Sequence, residues 1–193
     1  MRKLSHDEIA INRSTLDTIH KVEKLPVYVI LDSIRSNYNV GSIFRTSDGA
    51  MIEKLYLCGY TPHPPSLNVE GGKKEILKTA LGSTESVNWE YAKNAKDIIK
   101  KLKEKGINIF ALELTDSSIP YYYLDSLNFP IGLIIGNEIT GVSQELIDMC
   151  DGSLEIPQYG IKQSLNVAVA YGIAIFELRK NFDLSKKQRA KLP

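Results

Sequence analysis

Ile131-Gly132-Leu133-Ile134-Ile135-Gly136 carries no polar side chain from end to end. A strand that apolar is buried on both faces, which happens in the middle of a parallel sheet covered by helices on both sides. Val27-Tyr28-Val29-Ile30-Leu31-Asp32, Leu55-Tyr56-Leu57-Cys58 and Ile107-Asn108-Ile109-Phe110-Ala111-Leu112 read as further buried strands, and Ser153-Leu154-Glu155-Ile156 as a short one. Helical segments fit between them. Ser42 to Ala50 follows the first strand. Asn88 is expected to cap a helix with Tyr91, Ala95, Ile98 and Leu102 on its core face, ending at Gly106. Ser143 is expected to cap Gln144 to Cys150, and Ser164 a last long helix to about Lys180. Strands alternating with helices predict an α/β fold whose sheet is mainly parallel.

Before the first strand, Ser5 and Glu8 form a capping-box pattern, and Ile9, Leu16 and Ile19 can share a face, so residues 1–24 are expected to be a helical extension. Thr61 to Gly72, with Pro62, Pro64 and Pro65, reads as a mobile loop followed by Lys73, Lys74 and Lys78. No linker divides the chain, and 193 residues make one domain the default.

The net charge is +1, so no global field draws nucleic acid to the molecule. The charge is uneven, however. Arg179, Lys180, Lys186, Lys187, Arg189 and Lys191 crowd the C-terminus, and residues 181–193 read as a basic tail, either a solvated end or an arm that touches RNA. Cys58 and Cys150 form no CxxC, and His6, His20 and His63 are scattered, so neither a disulfide framework nor a metal site is expected. The N-terminus lacks the apolar stretch of a signal peptide, and no apolar run reaches transmembrane length. A cytoplasmic protein away from membranes is the expectation.

Common nucleotide signatures fail. No GxGxxG follows the first strand, Gly71-Gly72-Lys73-Lys74 is not a P-loop, and no GxSxG elbow occurs. Three polar clusters remain, each at the end of a predicted strand: Asn37 to Thr46, Gly136 to Gly141, and Ile156 to Asn166. Open α/β sheets bind ligands beyond the carboxyl ends of their strands, so the three are expected to converge. Taken singly, each also reads as a turn or a helix cap: Asn39 to Gly41 with Arg45 a surface cation, Glu138 a first-turn acid, Ser164 and Asn166 simple caps. Their joint order and spacing is the specific signal.

In that order and spacing the clusters resemble the SpoU/TrmH branch of the SPOUT RNA 2′-O-ribose methyltransferases. The first motif of that family is Asn with Arg six positions on, which selects Asn39 and Arg45. The second, Gly-x-Glu-x-x-Gly, matches Gly136, Glu138 and Gly141. The third, Ile-Pro, a Gly-containing loop and Ser-Leu-Asn-Val, matches Ile156, Pro157, Gly160, Ser164, Leu165, Asn166 and Val167. Gln158 stands where the family usually has Met, and Ala168 where it often has Ser. The resemblance implies a C-terminal trefoil knot, a homodimer with sites near the subunit boundary, and S-adenosylmethionine as cofactor. It implies methyl transfer to a ribose 2′-hydroxyl of tRNA or rRNA. Asn39, Arg45, Glu138, Ser164 and Asn166 would be catalytic, Arg45 foremost. Leu112, Glu113, Leu114, Gly136, Asn137, Ile156, Ser164 and Leu165 would hold the cofactor, and no metal takes part. The last helix agrees with a dimer, since Leu165, Val167, Val169, Ile173, Ile175 and Phe176 make it apolar on more than one side. Two alternatives stand beside this: methylation of a base on the same fold, and a catalytically idle RNA-binding protein.

Overall fold

The computed structural model describes residues 1–67, 70–126 and 129–189. Its centre is a seven-stranded sheet of β1 (Leu25–Asp32), β2 (Ile52–Cys58), β3 (Trp89–Ala92), β4 (Asn108–Leu112), β5 (Ile119–Pro120), β6 (Ile131–Ile135) and β7 (Gly152–Glu155). The spatial order is β3-β2-β1-β6-β4-β7-β5, and every pairing is parallel. The wholly apolar run from Ile131 is β6, paired on both sides, with Leu133 opposite Val29 of β1 and opposite Phe110 of β4.

Helices cover both faces, as a parallel sheet requires. Alternation along β1 sends Val27, Val29 and Leu31 to one face. There they meet Val40, Ile43 and Phe44 of α2 (Asn37–Ala50), Ile76 of α3 (Glu75–Ala80), and Tyr171, Ile175 and Leu178 of α7 (Val167–Arg189). Ile30 points to the other face, with Ile98, Ile99 and Leu102 of α5 (Ala95–Lys103) and Leu146 of α6 (Gln144–Ile147). No helix among the described residues is long and apolar enough to cross a membrane.

Several expectations change. The N-terminal extension is helical only over α1 (His6–Ile11), with the Ser5/Glu8 capping box in place, followed by a short 3-10 turn at Ile19–Lys21. Of the predicted apolar face, Ile9 and Leu16 are exposed and only Ile19 is half-buried, and a short unpacked helix is marginal in water. Asn88 caps no helix. Trp89–Ala92 is an edge strand beside β2, held by Tyr91 Oη donating to the Gly59 carbonyl (2.9 Å) and Lys54 paired with Glu90 (2.5 Å). The helix starts later, at Ala95, with Asn94 Oδ1 accepting from the Lys96 amide. A further helical turn, α4 (Ser83–Ser86), was not foreseen.

α2 begins at Asn37, not Ser42, because Ser36 caps it by accepting from the Asn39 amide (3.3 Å). α6 is shorter than expected, and the Ser143 side chain makes no capping bond. α7 runs past Lys180 to Arg189, so the start of the basic tail is helix. Arg179 pairs there with Asp183 and Lys186 with Glu23. Lys191 lies outside the described residues. The proline-rich loop is anchored at both ends. Thr61 Oγ1 donates to the Leu31 carbonyl and accepts from the Ile34 amide, and the buried His63 ring lies within hydrogen-bond reach of the Pro64 and Glu70 carbonyls.

Candidate active site

A cavity of about 730 Å³ opens beyond the carboxyl ends of β4, β6 and β7. Leu112, Glu113 and Leu114 bound it after β4, Gly136 to Gly141 after β6, and Ile156, Pro157 and Gly160 to Leu165 after β7. Each of the eight residues expected at a cofactor lines it: Leu112, Glu113, Leu114, Gly136, Asn137, Ile156, Ser164 and Leu165. Aliphatic residues such as Leu112, Ile156 and Leu165 share the lining with polar ones such as Glu113, Thr140, Lys162 and Ser164, a mixture that suits a small molecule with apolar and polar parts.

The Gly136–Gly141 loop has a close-packed reason for its glycines. A Cβ on Gly136 would lie 2.5 Å from the Gly141 carbonyl oxygen and still nearer the Gly141 carbonyl carbon and the Val142 nitrogen. Gly141 sits at φ +67, a left-handed conformation that favours glycine. The loop closes through two backbone bonds between Asn137 and Gly141 (3.1 and 2.9 Å). Asn137 is only 7% exposed, and its side chain is fully engaged within the protein. Its Oδ1 accepts from the Ile139 and Thr140 amides, and its Nδ2 donates to the Ser33 carbonyl and to Tyr60 Oη. Asn137 therefore offers the cavity its backbone. Tyr60, which the sequence reading missed, follows the carboxyl end of β2, the same position that marked the three clusters.

Glu113 joins two rims. Its Oε2 accepts from the Val142 amide (2.9 Å) and its Oε1 from the Leu114 amide (3.1 Å). A Cβ on Gly141 would run into this carboxylate.

At one side of the cavity, Glu138 sits against the N-terminus of α2. Its carboxylate accepts from the Arg35 amide (2.8 Å), the Ser36 amide (3.1 Å) and Asn39 Nδ2 (2.9 Å). Partial burial by itself would raise this acid, but the Arg35 amide and Asn39 outweigh it and hold Glu138 below the ordinary glutamate range. The helix dipole favours an anion at the same spot. Asn39 Oδ1 in turn accepts from Asn166 Nδ2 (3.1 Å), and Asn166 Oδ1 accepts from the Ala168 amide (2.9 Å). One hydrogen-bonded chain thus joins Glu138, Asn39 and Asn166, three residues spread over 127 positions of sequence. It ties the amino ends of α2 and α7 to the loop after β6. Asn166, not Ser164, caps α7. Ser164 is exposed and lines the cavity.

Arg45 stands apart. A six-residue step along a helix turns the side chain about 120° away from Asn39 and carries it about 9 Å along the axis. Arg45 is exposed and lines a second cleft, about 440 Å³, between α2, α4 and the N-terminal segment Ser14 to Ile19. Within one chain, the structure brings Asn39, Glu138 and Asn166 together with the large cavity but leaves Arg45 outside it. Among the described residues no cluster of His, Cys, Asp and Glu could hold a metal ion.

Residues 26–176 match the model of the SpoU rRNA Methylase family. The chain is 33% identical to the tRNA (guanosine(18)-2'-O)-methyltransferase of Aquifex aeolicus over 79% of its own length and 68% of the relative's. Among solved structures, the TrmH/SpoU tRNA modifying enzyme of A. aeolicus superposes with a TM-score of 0.75 at 28% identity, covering 89% of this chain and 84% of that one. The AdoMet-bound rRNA methyltransferase of Sinorhizobium meliloti superposes with a TM-score of 0.71 at 32% identity, over 82% of this chain. The match spans 60% of the Sinorhizobium chain.

Proposed function

The chain belongs to the SpoU rRNA methylase family, and from that premise we propose that it transfers a methyl group from S-adenosylmethionine to a ribose 2′-hydroxyl of tRNA or rRNA. The observation that carries this reading is the hydrogen-bonded chain Glu138–Asn39–Asn166 at the edge of the cavity. Relatives named as tRNA and rRNA guanosine-2'-O-methyltransferases support it.

The cavity fits the cofactor on its own terms. Its volume suits a nucleoside with a short polar tail. Gly136 lets the Gly141–Val142 backbone pack directly on it, and the loop closed in this way bounds the cavity. Leu112, Ile156 and Leu165 would flank the adenine, and Lys162, also on the lining, would meet the carboxylate of the methionine end. When bound, S-adenosylmethionine supplies a methyl group made electrophilic by its sulfonium. Neither metal nor covalent catalysis is then required of the protein. Its work is alignment of the 2′-oxygen and disposal of one proton.

Asn39 and Asn166 orient the ribose or hold the residues that do, with Glu138 fixing Asn39. Ser164 contacts substrate from the cavity wall. Arg45 acts as a cation. A guanidinium stays protonated at ordinary pH, so a role as proton acceptor is costly. It binds the neighbouring phosphate and stabilises negative charge growing on the 2′-oxygen, while the proton leaves to phosphate or water.

Arg45 lies outside the cavity of its own chain, so this reading includes a homodimer in which Arg45 of one protomer faces the cavity of the other. The exposed apolar stripe of Leu165, Val169 and Phe176 (40, 52 and 51% exposed) supports such an interface. Phe176 lies over Gly49 of α2, the helix that carries Arg45. A trefoil knot formed by the chain after β6 goes with the same reading, as does a reducing cytoplasm, which suits the free Cys58 and Cys150.

The test is methyl transfer from labelled S-adenosylmethionine to unmodified tRNA and rRNA, followed by nucleoside analysis. A 2′-O-methylated nucleoside supports the reading. A methylated base moves the reaction to another atom. Cofactor binding without any transfer over both RNA classes counts against the reaction.

A further inference from the structure

Arg45 shares its side of α2 with Tyr38 and Ser42. The three stand at i, i+4 and i+7, a single stripe about 10 Å long on the helix. Tyr38 is 53% exposed, Ser42 is half-buried and Arg45 is exposed. α3 is docked against this part of α2. A Cβ on Gly41 would run into Thr79 Oγ1 and the Ile76 carbonyl, so only glycine lets the two helices come this close. The Tyr38 carbonyl accepts from both helices, from Ser42 Oγ (2.9 Å) and from Thr79 Oγ1 (3.0 Å). α3 buries Ile76 and Ala80 and leaves Lys74, Leu77, Lys78 and Leu81 exposed. Leu81 lines the cleft that Arg45 lines, so the α3 surface continues into that of α2. The start of α3 is fixed too. The Lys73 amide donates to the His63 carbonyl (2.8 Å), and a Cβ on Gly72 would run into the Pro65 backbone.

We infer that this α2–α3 surface holds the RNA strand beside the methylated nucleotide, with Lys74 and Lys78 on its phosphates and the Tyr38 ring stacked on a neighbouring base, a role that rests on the function proposed above.

Charge says what the surface fits. The chain carries a net charge of +1, so a polyanion has to be held by a local patch. Elsewhere many basic side chains are spent on acids: Lys54 on Glu90, Lys96 on Glu145, Lys103 on Asp151, Arg179 on Asp183 and Lys186 on Glu23. Among the described residues Lys73, Lys74, Lys78 and Arg45 make no ion pair. One acid, Glu75, shares α3 with them. Lys100 and Lys101 of α5 make no ion pair either, but α5 covers the opposite face of the sheet from α2 and α3. Continuity with Arg45 selects the α3 lysines.

Tyr38 adds what lysines cannot. If the reacting ribose lies at Arg45, a strand running along the α2 stripe brings an adjoining nucleotide to the Tyr38 ring. Stacking on an aromatic ring accepts any base, so this contact holds the strand without reading its sequence.

The test measures the affinity of the full-length protein for unmodified tRNA and rRNA transcripts by fluorescence anisotropy, between about 50 and 200 mM salt. In the double variant Lys74→Ala/Lys78→Ala, affinity should fall about tenfold or more, and the plot of log affinity against log salt should become shallower by about 1.4, as for two phosphate contacts to a single strand. Tyr38→Ala should bind roughly tenfold more weakly with the slope unchanged, and Tyr38→Phe should bind like wild type. Lys100→Ala/Lys101→Ala should keep both affinity and slope. The substituted side chains are all exposed, and S-adenosylmethionine affinity reports that each variant is folded. A wild-type slope in the α3 variant, or an equal loss in the α5 variant, overturns the phosphate contacts. Equal weakening in Tyr38→Phe, or a changed oligomeric state in Tyr38→Ala, overturns the stacking. Methyl transfer with an unchanged slope removes the surface alone. RNA binding that follows these expectations, with no methylated nucleoside in either transcript, removes the reaction and leaves the surface standing. A wild-type protein that binds neither transcript overturns both.

Discussion

Replacing Gly136 with alanine probes how the cofactor cavity is shaped. The added carbon would stand 2.5 Å from the Gly141 carbonyl oxygen, with two other backbone atoms of residues 141 and 142 nearer still. Non-bonded heavy atoms settle at about 3.5 Å or more, so the facing loop must retreat by on the order of 1 Å. Backbone cannot swing aside as a side chain can. The retreat strains the paired Asn137–Gly141 bonds and the Val142 amide held by Glu113. Overpacking of this kind costs about 1–3 kcal/mol. For a chain of this size that lowers the melting temperature by roughly 2–12 °C. Because the moved loop is also the cavity wall, S-adenosylmethionine affinity should fall at least about tenfold. Titration calorimetry and thermal unfolding measure the two effects. Gly172→Ala is the control: it is not on the cavity lining and its Cβ would meet only Thr46 at 3.9 Å, so cofactor affinity should stay near wild type and the melting temperature should not fall. If Gly136→Ala binds cofactor and melts like wild type, the contact between residues 136 and 141 does not set the cavity's shape.

Arg45→Ala should leave cofactor affinity intact and lower kcat by about 10²-fold or more, measured by single-turnover methyl transfer; full activity would remove Arg45 from the reaction. Glu138 is depressed in the folded state, so the stability it lends is present above about pH 4.3, the unfolded value, and is lost as pH falls through the lower folded value. Glu138→Gln should therefore show a shallower loss of melting temperature between about pH 5 and 3 than wild type does. Phe176→Asp puts charge on the exposed stripe of α7 and should convert a dimer to monomer by light scattering, with loss of transfer but not of the fold.

The central strands were legible because β1, β4 and β6 are nearly continuous apolar runs, a pattern that surface segments do not imitate. β3 was not. Trp89 to Ala92 is a four-residue edge strand, half-buried throughout, and its Tyr91 falls in helical phase with Ala95 and Ile98. The N-terminal helix was over-read because periodicity reports which residues could share a face, not whether anything covers it. Within the site, the motifs named the residues that line the cavity. What they did not convey was direction. With α2 read as starting at Ser42, Asn39 fell in a turn and its angle to Arg45 had no meaning. Once Ser36 is the cap, the six-residue spacing itself says that the two side chains leave the helix on different sides. The bond from Asn39 to Asn166 spans 127 positions and has no local signal at all.

The substrate atom is the core of the account, and a single substitution in the RNA tests it. Once the methylated position is mapped, a transcript carrying a 2′-deoxynucleotide there, identical elsewhere, is offered to the wild-type protein with labelled S-adenosylmethionine. Incorporation should disappear while the RNA still binds. Undiminished incorporation into the deoxy transcript would mean that the methyl group goes to a base, and the roles given to Arg45, Asn39 and Asn166 would fall with it.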